Sequence, residues 1–483
     1  MNIGDIKIFR NKSYINGEWA GSPDVFSVTN PATGEHLADV PSIKQDMVKK
    51  AIEGANEAWK SWKLLTAKER AAYLKKWYEL ILNHIDDLAV IMTLEQGKPL
   101  TEARNEILYG ASFIEWFAEE GKRAYGEIVP TPNTKQRILV IKESVGVCAA
   151  ITPWNFPAAM ITRKVAPALA AGCTMVIKPA SQTPLTALAL IGLAEQAGFP
   201  KGVLSIVTGD AREIGSELTS NPLVRKVSFT GSTEIGKILM KQSATTVKKV
   251  SMELGGNAPF IVFDDADVDE AVQGAILSKF RNAGQTCVCA NRLYVHKNIY
   301  EQFTAKLVEA VRQLKVGSGL EDGTDMGPLI DEKAVAKVQE HIQDALSKGA
   351  TLLTGGKPHQ LGGNFFEPTV VANVTQDMKV AKEETFGPLA PIFVFESEQE
   401  VIDKANDTEF GLACYFFTNN LSRVWNVAEK LEYGIVGINT GIISNEVAPF
   451  GGIKESGLGR EGSRHGIDDY LTLKYMCMAG IKA

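Results

Sequence analysis

Two side chains carry the clearest reactive chemistry in this chain. Cys287 stands in Phe280-Arg-Asn-Ala-Gly-Gln-Thr-Cys-Val-Cys-Ala290, beside Asn282, Gly284, Gln285 and Thr286, small or hydrogen-bonding residues. A thiol kept for packing is more often surrounded by Leu, Val or Phe. Glu253 stands in Met252-Glu-Leu-Gly-Gly-Asn257, a lone carboxylate before a glycine pair. In one cleft, such a thiol is a nucleophile and such a carboxylate a general base. The residues before Cys287 read as a helix, which would set the thiol at a helix end. Asn155, in Thr152-Pro-Trp-Asn-Phe-Pro157, sits in a loop stiffened by two prolines and two aromatics. Its amide N–H can meet developing negative charge, or simply brace the loop.

A second group of residues suits a nucleotide. Phe229-Thr-Gly-Ser-Thr-Glu-Ile-Gly236 ends a strand and opens a helix, where a pyrophosphate can meet backbone N–H groups. Its Gly231 to Gly236 spacing departs from the standard dinucleotide fingerprint, so an ordinary glycine cap fits as well. In Ile177-Lys-Pro-Ala-Ser-Gln-Thr-Pro184, Lys178 can reach ribose hydroxyls and Ser181 can donate to a 2′-phosphate. An acidic residue at 181 would instead bind a 2′-hydroxyl and repel that phosphate. A surface Lys, and a Ser capping a helix near Pro184, is the plainer alternative.

These residues need a scaffold. Residues 13–40 carry turn signals between short apolar runs and predict hairpins or an extended arm. Residues 44–121 follow a helical period. Residues 123–150 turn to strands, the first part resembling a projecting hairpin. Residues 146–263 then alternate apolar runs, Val147–Ile151, 174–177, 203–207, 226–229 and 250–254, with helices over 157–171, 183–197, 213–220 and 232–242. That alternation predicts an α/β fold with a doubly wound parallel sheet binding ligands at its strands' carboxyl ends. A second alternating block runs from Pro259 to about Gly437, with joints near Leu254 and Ile438.

Bulk properties exclude several classes. A net charge of -6 argues against nucleic acid and anionic membranes as partners. No apolar run approaches the roughly 18 residues of a membrane span. Met1–Lys7 lacks the basic-then-apolar pattern of a signal peptide. Six cysteines in 483 residues are too few for a disulfide scaffold, so a cytoplasmic protein is expected. Cys287-Val-Cys289 could be half a metal site, but no partnering Cys or His cluster is near, and no metal is expected.

Taken in order, the motifs resemble the aldehyde dehydrogenase superfamily. They are Pro153-Trp-Asn-Phe-Pro157, Lys178-Pro179, Phe229-Thr-Gly-Ser232, Met252-Glu-Leu-Gly-Gly256, Gly284-Gln-Thr-Cys287, Glu384-Thr-Phe-Gly-Pro388 and Pro449-Phe-Gly-Gly-Ile-Lys-Glu-Ser-Gly457. Ile161-Thr-Arg-Lys164, Cys287-Val-Cys289 and 441–450 are most similar to the branch that oxidises succinic semialdehyde. The resemblance covers essentially the whole chain. It implies a dinucleotide-binding domain (1–121 and 144–253), a catalytic domain (254–438), and a β oligomerisation arm with C-terminal segment (122–143 and 439–483). A projecting arm implies a homo-oligomer, dimer or tetramer.

The resemblance also implies roles. Cys287 attacks the aldehyde, Asn155 and the Cys287 N–H hold the oxyanion, and Glu253 activates the hydrolytic water. Trp154, Lys178, Ser181, Gly231, Ser232, Leu254, Glu384 and Phe386 form the cofactor site. Ser181, where NAD-preferring relatives often carry Glu, points to NADP over NAD. Arg163, Arg281 and Ser444 match a clamp for the substrate carboxylate, although either Arg alone could be a solvated surface residue. In the resembled branch, a disulfide between the positions of Cys287 and Cys289 shuts the enzyme off reversibly. Three alternatives stay open: a dehydrogenase for another ω-semialdehyde such as glutarate semialdehyde, a catalytically silent binding or structural member, and a Cys hydrolase.

Overall fold

The computed structural model describes residues 3–480. Residues 1–2 and 481–483, the extreme ends of the first and last predicted segments, lie outside the described residues. An eight-stranded sheet has the order Gly457–Leu458, Lys249–Glu253, Val224–Thr230, Val147–Ile151, Thr174–Lys178, Leu204–Ile206, Ser13–Ile15, Glu18–Ala20. Its five central strands are parallel. Helices cover both faces, so these strands are apolar almost throughout; Thr174–Lys178 is buried at every position.

Strand order fixes where a ligand can sit. From Val147–Ile151 the chain steps outward through Thr174–Lys178 to Leu204–Ile206, then crosses back to lay Val224–Thr230 on the other side. The loops after Val147–Ile151 and Val224–Thr230 therefore leave in opposite directions and open a crevice at the carboxyl ends. The four predicted helices of this block are Ala159–Ala171, Leu185–Ala197, Ala211–Ser220 and Thr233–Ser243. Before them come a hairpin, Val25–Thr29 with His36–Pro41, and four helices between Gln45 and Glu120.

After Glu253 the chain enters a seven-stranded sheet at Ala258–Val262 and leaves it after Ile438. Its order is Thr351–Thr354, Thr369–Ala372, Leu389–Phe395, Ala290–His296, Ala258–Val262, Ala413–Phe417, Ile435–Ile438, all parallel but the first. A three-stranded antiparallel sheet joins Glu127–Val129, Arg137–Ser144 and Leu471–Met478. It leaves Ile128, Leu473 and Tyr475 exposed. The C-terminal stretch also returns to the first sheet, where Gly457–Leu458 pairs with Met252 and Glu253. No helix among the described residues is long and apolar enough to cross a membrane.

Two local expectations fail. The helix before the thiol, Val268–Lys279, stops eight residues short of Cys287. Asn282, Ala283 and Gly284 follow at φ 52°, 54° and 74°, and three left-handed residues cannot continue a right-handed helix. Cys287 thus lies in a turn, with no helix end to lower its pKa. Nor does Ser181 cap the next helix. That helix starts at Leu185, and Glu95 from another helix accepts the Leu185 and Thr186 N–H groups at 2.7 and 2.8 Å.

Candidate active site

Two cavities meet at Cys287. One, of about 220 Å³, occupies the crevice where strand order reverses. Trp154, Asn155, Gly231, Ser232, Leu254, Glu384 and Phe386 line it. The other, of about 440 Å³, is lined by Arg163, Arg281 and Ser444, with Glu102, Tyr109 and Phe450. Met160 and Cys287 line both.

The thiol is placed by a close-packed turn. A side chain at Gly256 would sit 2.6 Å from the Cys287 carbonyl oxygen, so only glycine lets the linker between the sheets approach. At Gly284 a side chain would strike the Gly387 carbonyl. The Cys287 N–H donates to no acceptor among the described residues. Asn155 Nδ2 donates to Gln285 O at 3.0 Å, which uses one of its two hydrogens and leaves the other for a ligand. Burial pushes the Cys287 thiol up to about 12; Arg163 acts against it, whereas Glu384 and Glu253 add to it. At neutral pH that burial favours the thiol over the thiolate.

Glu253 ends its strand with its carboxyl turned away from both cavities. Its Oε1 faces Gly451, where a Cβ would lie 2.9 Å away, and its Oε2 is buried without a hydrogen-bond partner. Burial, then the charge of Glu461, holds it well above the usual carboxylate range, which favours the neutral acid. Glu461 itself resists burial and stays below the ordinary range, because Lys164 and then Arg163 flank it. Lys164 Nζ bonds Glu461 Oε1 and also donates to Thr230 Oγ1 at 2.6 Å.

Of the residues predicted for the cofactor, Trp154, Gly231, Ser232, Leu254, Glu384 and Phe386 line the smaller cavity, whereas Lys178 and Ser181 do not. Ser232 precedes helix Thr233–Ser243 without capping it, so its hydroxyl is free for a ligand at that N-terminus. Trp154 and Phe386 meet edge to face at 6.0 Å and form one wall. Glu384 accepts the Gly256 N–H at 3.0 Å, and burial raises it to about 8. The Leu254 N–H is already donated to Ser456 O at 3.0 Å, leaving its carbonyl for a ligand. Lys178, at the end of the neighbouring strand, lies 3.4 Å from Ser181 Oγ, and burial lowers its ammonium to about 8. Hydroxyls, an amine and a helix N-terminus around one crevice fit the ribose and phosphates of a dinucleotide.

The larger cavity holds the two arginines. Arg163 is 2% exposed, so it is no solvated surface residue. It packs against Phe450, 4.1 Å from the ring centroid. Arg281 is partly exposed, lies 5.7 Å from the Phe156 ring and makes no ion pair among the described residues. Ser444 lines the same cavity. Cys289 Sγ donates to Gly284 O at 3.2 Å and receives Lys279 Nζ at 3.7 Å. Both thiols are free.

Sequence reasoning missed the groups beneath these walls. Met160 reads as ordinary helix core. Glu461 and Lys164 carry no motif of their own that links them to Glu253. Gly97-Lys-Pro99 reads as a helix stop, yet Lys98 is buried at the floor of the larger cavity, bonded to Glu106 and to the oxyanion loop.

A crevice where strand order reverses, beside a thiol on the wall shared with a second cavity, fits an oxidoreductase of the NAD(P) type. The sequence profile of the Aldehyde dehydrogenase family matches residues 19–476, and the chain belongs to that family. It is 65% identical to the NADP(+) succinate-semialdehyde dehydrogenase of Escherichia coli, over 99% of this chain and 100% of that protein. It is 64% identical to the glutarate-semialdehyde dehydrogenase of Pseudomonas putida, over 99% and 100%. The crystal structure of succinate-semialdehyde dehydrogenase from Burkholderia pseudomallei, 63% identical, superimposes with a TM-score of 0.98 over 99% of each chain.

Proposed function

We propose that this protein oxidises succinic semialdehyde to succinate with reduction of NADP, and of NAD less well. The observation that carries this reading is the position of Cys287 between the crevice where strand order reverses and a cavity bearing two arginines. Arg163, Arg281 and Ser444 hold the substrate's far carboxylate, and this sets the aldehyde at the thiol. Cys287 Sγ attacks the aldehyde carbon as its proton passes to solvent water, and Asn155 Nδ2 with the Cys287 N–H receives the oxyanion. NADP, when bound in the crevice, supplies the acceptor for the hydride whose departure leaves a thioester on Cys287. Glu253 then takes a proton from the water that attacks the thioester carbonyl. The C–S bond breaks and the acid leaves. From its present pose Glu253 must change rotamer and lose a proton to do so.

Ser181, with Lys178 beside it, supports NADP, since a 2′-phosphate meets a hydroxyl and a cation instead of a carboxylate. A second reading, oxidation of glutaric semialdehyde, rests on the near-equal identity to a relative of that name, and two arginines do not set chain length. The exposed apolar face of the three-stranded sheet supports a homo-oligomer, and six free thiols support a cytoplasmic setting. Initial rates of reduced protein on succinic, glutaric and a neutral aldehyde, each with NADP and NAD, test the whole. The highest kcat/KM for succinic semialdehyde with NADP is expected. Turnover of the neutral aldehyde alone would overturn the substrate reading.

A further inference from the structure

We propose that Lys98 is a positioning residue for Asn155, holding the oxyanion loop through a buried ion pair with Glu106. The inference rests on the reading that Asn155 binds the oxyanion.

Lys98 has a 1% exposed side chain. It donates to Glu106 Oε2 at 2.5 Å and to the Asn155 carbonyl oxygen at 2.8 Å, and it lies 4.2 Å from the Phe156 ring centroid. Although it lines the larger cavity, two of its three hydrogens are already donated to the protein. The other oxygen of Glu106 accepts the Ala158 and Ala159 N–H groups at 2.9 and 3.2 Å, at the start of helix Ala159–Ala171. One Lys–Glu pair thus grips loop 155–159 at both ends. The Asn155 carbonyl also accepts Asn282 Nδ2 at 3.0 Å, and Gln96 Nε2 donates to Asn282 Oδ1 at 2.9 Å. Segment 96–106 therefore holds the oxyanion loop and the left-handed turn before Cys287 as one unit. A misplaced donor forfeits most of the stabilisation of an oxyanion, since only the aligned geometry counts.

The experiment is a double-mutant cycle of Lys98→Met and Asn155→Ala, on a neutral aldehyde as well as on succinic semialdehyde. Each single variant is expected to lose about 100-fold in kcat with both aldehydes, and the double variant to be no worse than Asn155→Ala. Alkylation of Cys287 by iodoacetamide, which forms no oxyanion, should keep its rate. Losses that multiply in the double variant, or a rise in KM confined to the acidic aldehyde, would overturn the proposal. An unimpaired Asn155→Ala variant would instead remove the oxyanion reading beneath it. If Lys98→Met does not fold, Glu106→Gln carries the same cycle. It keeps an acceptor for the two N–H groups while loosening the ammonium, and the same two outcomes decide.

Discussion

Arg163 Nη2 lies 2.8 Å from Glu461 Oε2 in a buried ion pair, while the buried Arg163 Nε lacks an acceptor. A guanidinium with its charge compensated and its Nε–H unpaired keeps a donor for a second carboxylate. Arg281, which makes no ion pair among the described residues, is the looser half of the pair.

The two arginines should therefore fail differently. Arg281→Ala removes charge-assisted hydrogen bonds worth about 1.5–3 kcal/mol. It should raise KM for succinic semialdehyde about 10- to 100-fold and leave a neutral aldehyde almost unaffected. Arg163→Ala also uncovers Glu461, so it should lower the melting temperature and impair both aldehydes. Steady-state kinetics and a thermal melt distinguish the two; equal behaviour would contradict the clamp.

Cofactor preference should follow residue 181. Ser181→Glu sets a carboxylate where a 2′-phosphate would lie, and the NADP/NAD ratio of kcat/KM should fall about 10- to 100-fold. An unchanged ratio would show that another residue discriminates.

Thiol reactivity should be strongly pH-dependent. Burial raises Cys287 to about 12, so its thiolate fraction grows about tenfold per pH unit across the neutral and mildly alkaline range. Alkylation of the cofactor-free enzyme should rise without a plateau up to pH 10. A plateau near 8.5, the value of a free thiol, would mean that the site activates Cys287 unaided.

Glu253 should matter late in the turnover. Glu253→Gln is expected to release about one equivalent of reduced cofactor per site in a burst, then turn over at least 100-fold more slowly. In the unaltered enzyme deacylation should quicken as pH rises, because the raised carboxyl must ionise before it can act as a base. Loss of the burst would move Glu253 to the first half of the reaction.

The five parallel strands of the first sheet are legible in the sequence to within about two residues because apolar runs bounded by Gly, Pro and polar turns have few other solutions. The thiol, the carboxylate and the amide stood out for a related reason: reactive side chains among small residues are poor packing material. The turn before Cys287 was misread as helix, since Asn282 and Ala283 give no local sign of a left-handed backbone. It is imposed by distant partners, Glu102 on the Asn282 N–H and Gln96 on its side chain. Lys98 was hidden in the same way, its partner Asn155 being 57 residues further along the chain. Burial of Arg163 is likewise a property of packing against Phe450.

The wall that Cys287 and Met160 place between two cavities also bears on inhibition. A small diacid mimic that fills only the 440 Å³ side should compete with the aldehyde and leave dinucleotide affinity nearly intact. A nucleotide mimic in the crevice should do the reverse. Joined by a linker that skirts Met160, the two fragments would occupy one protein together, and their affinities would compound.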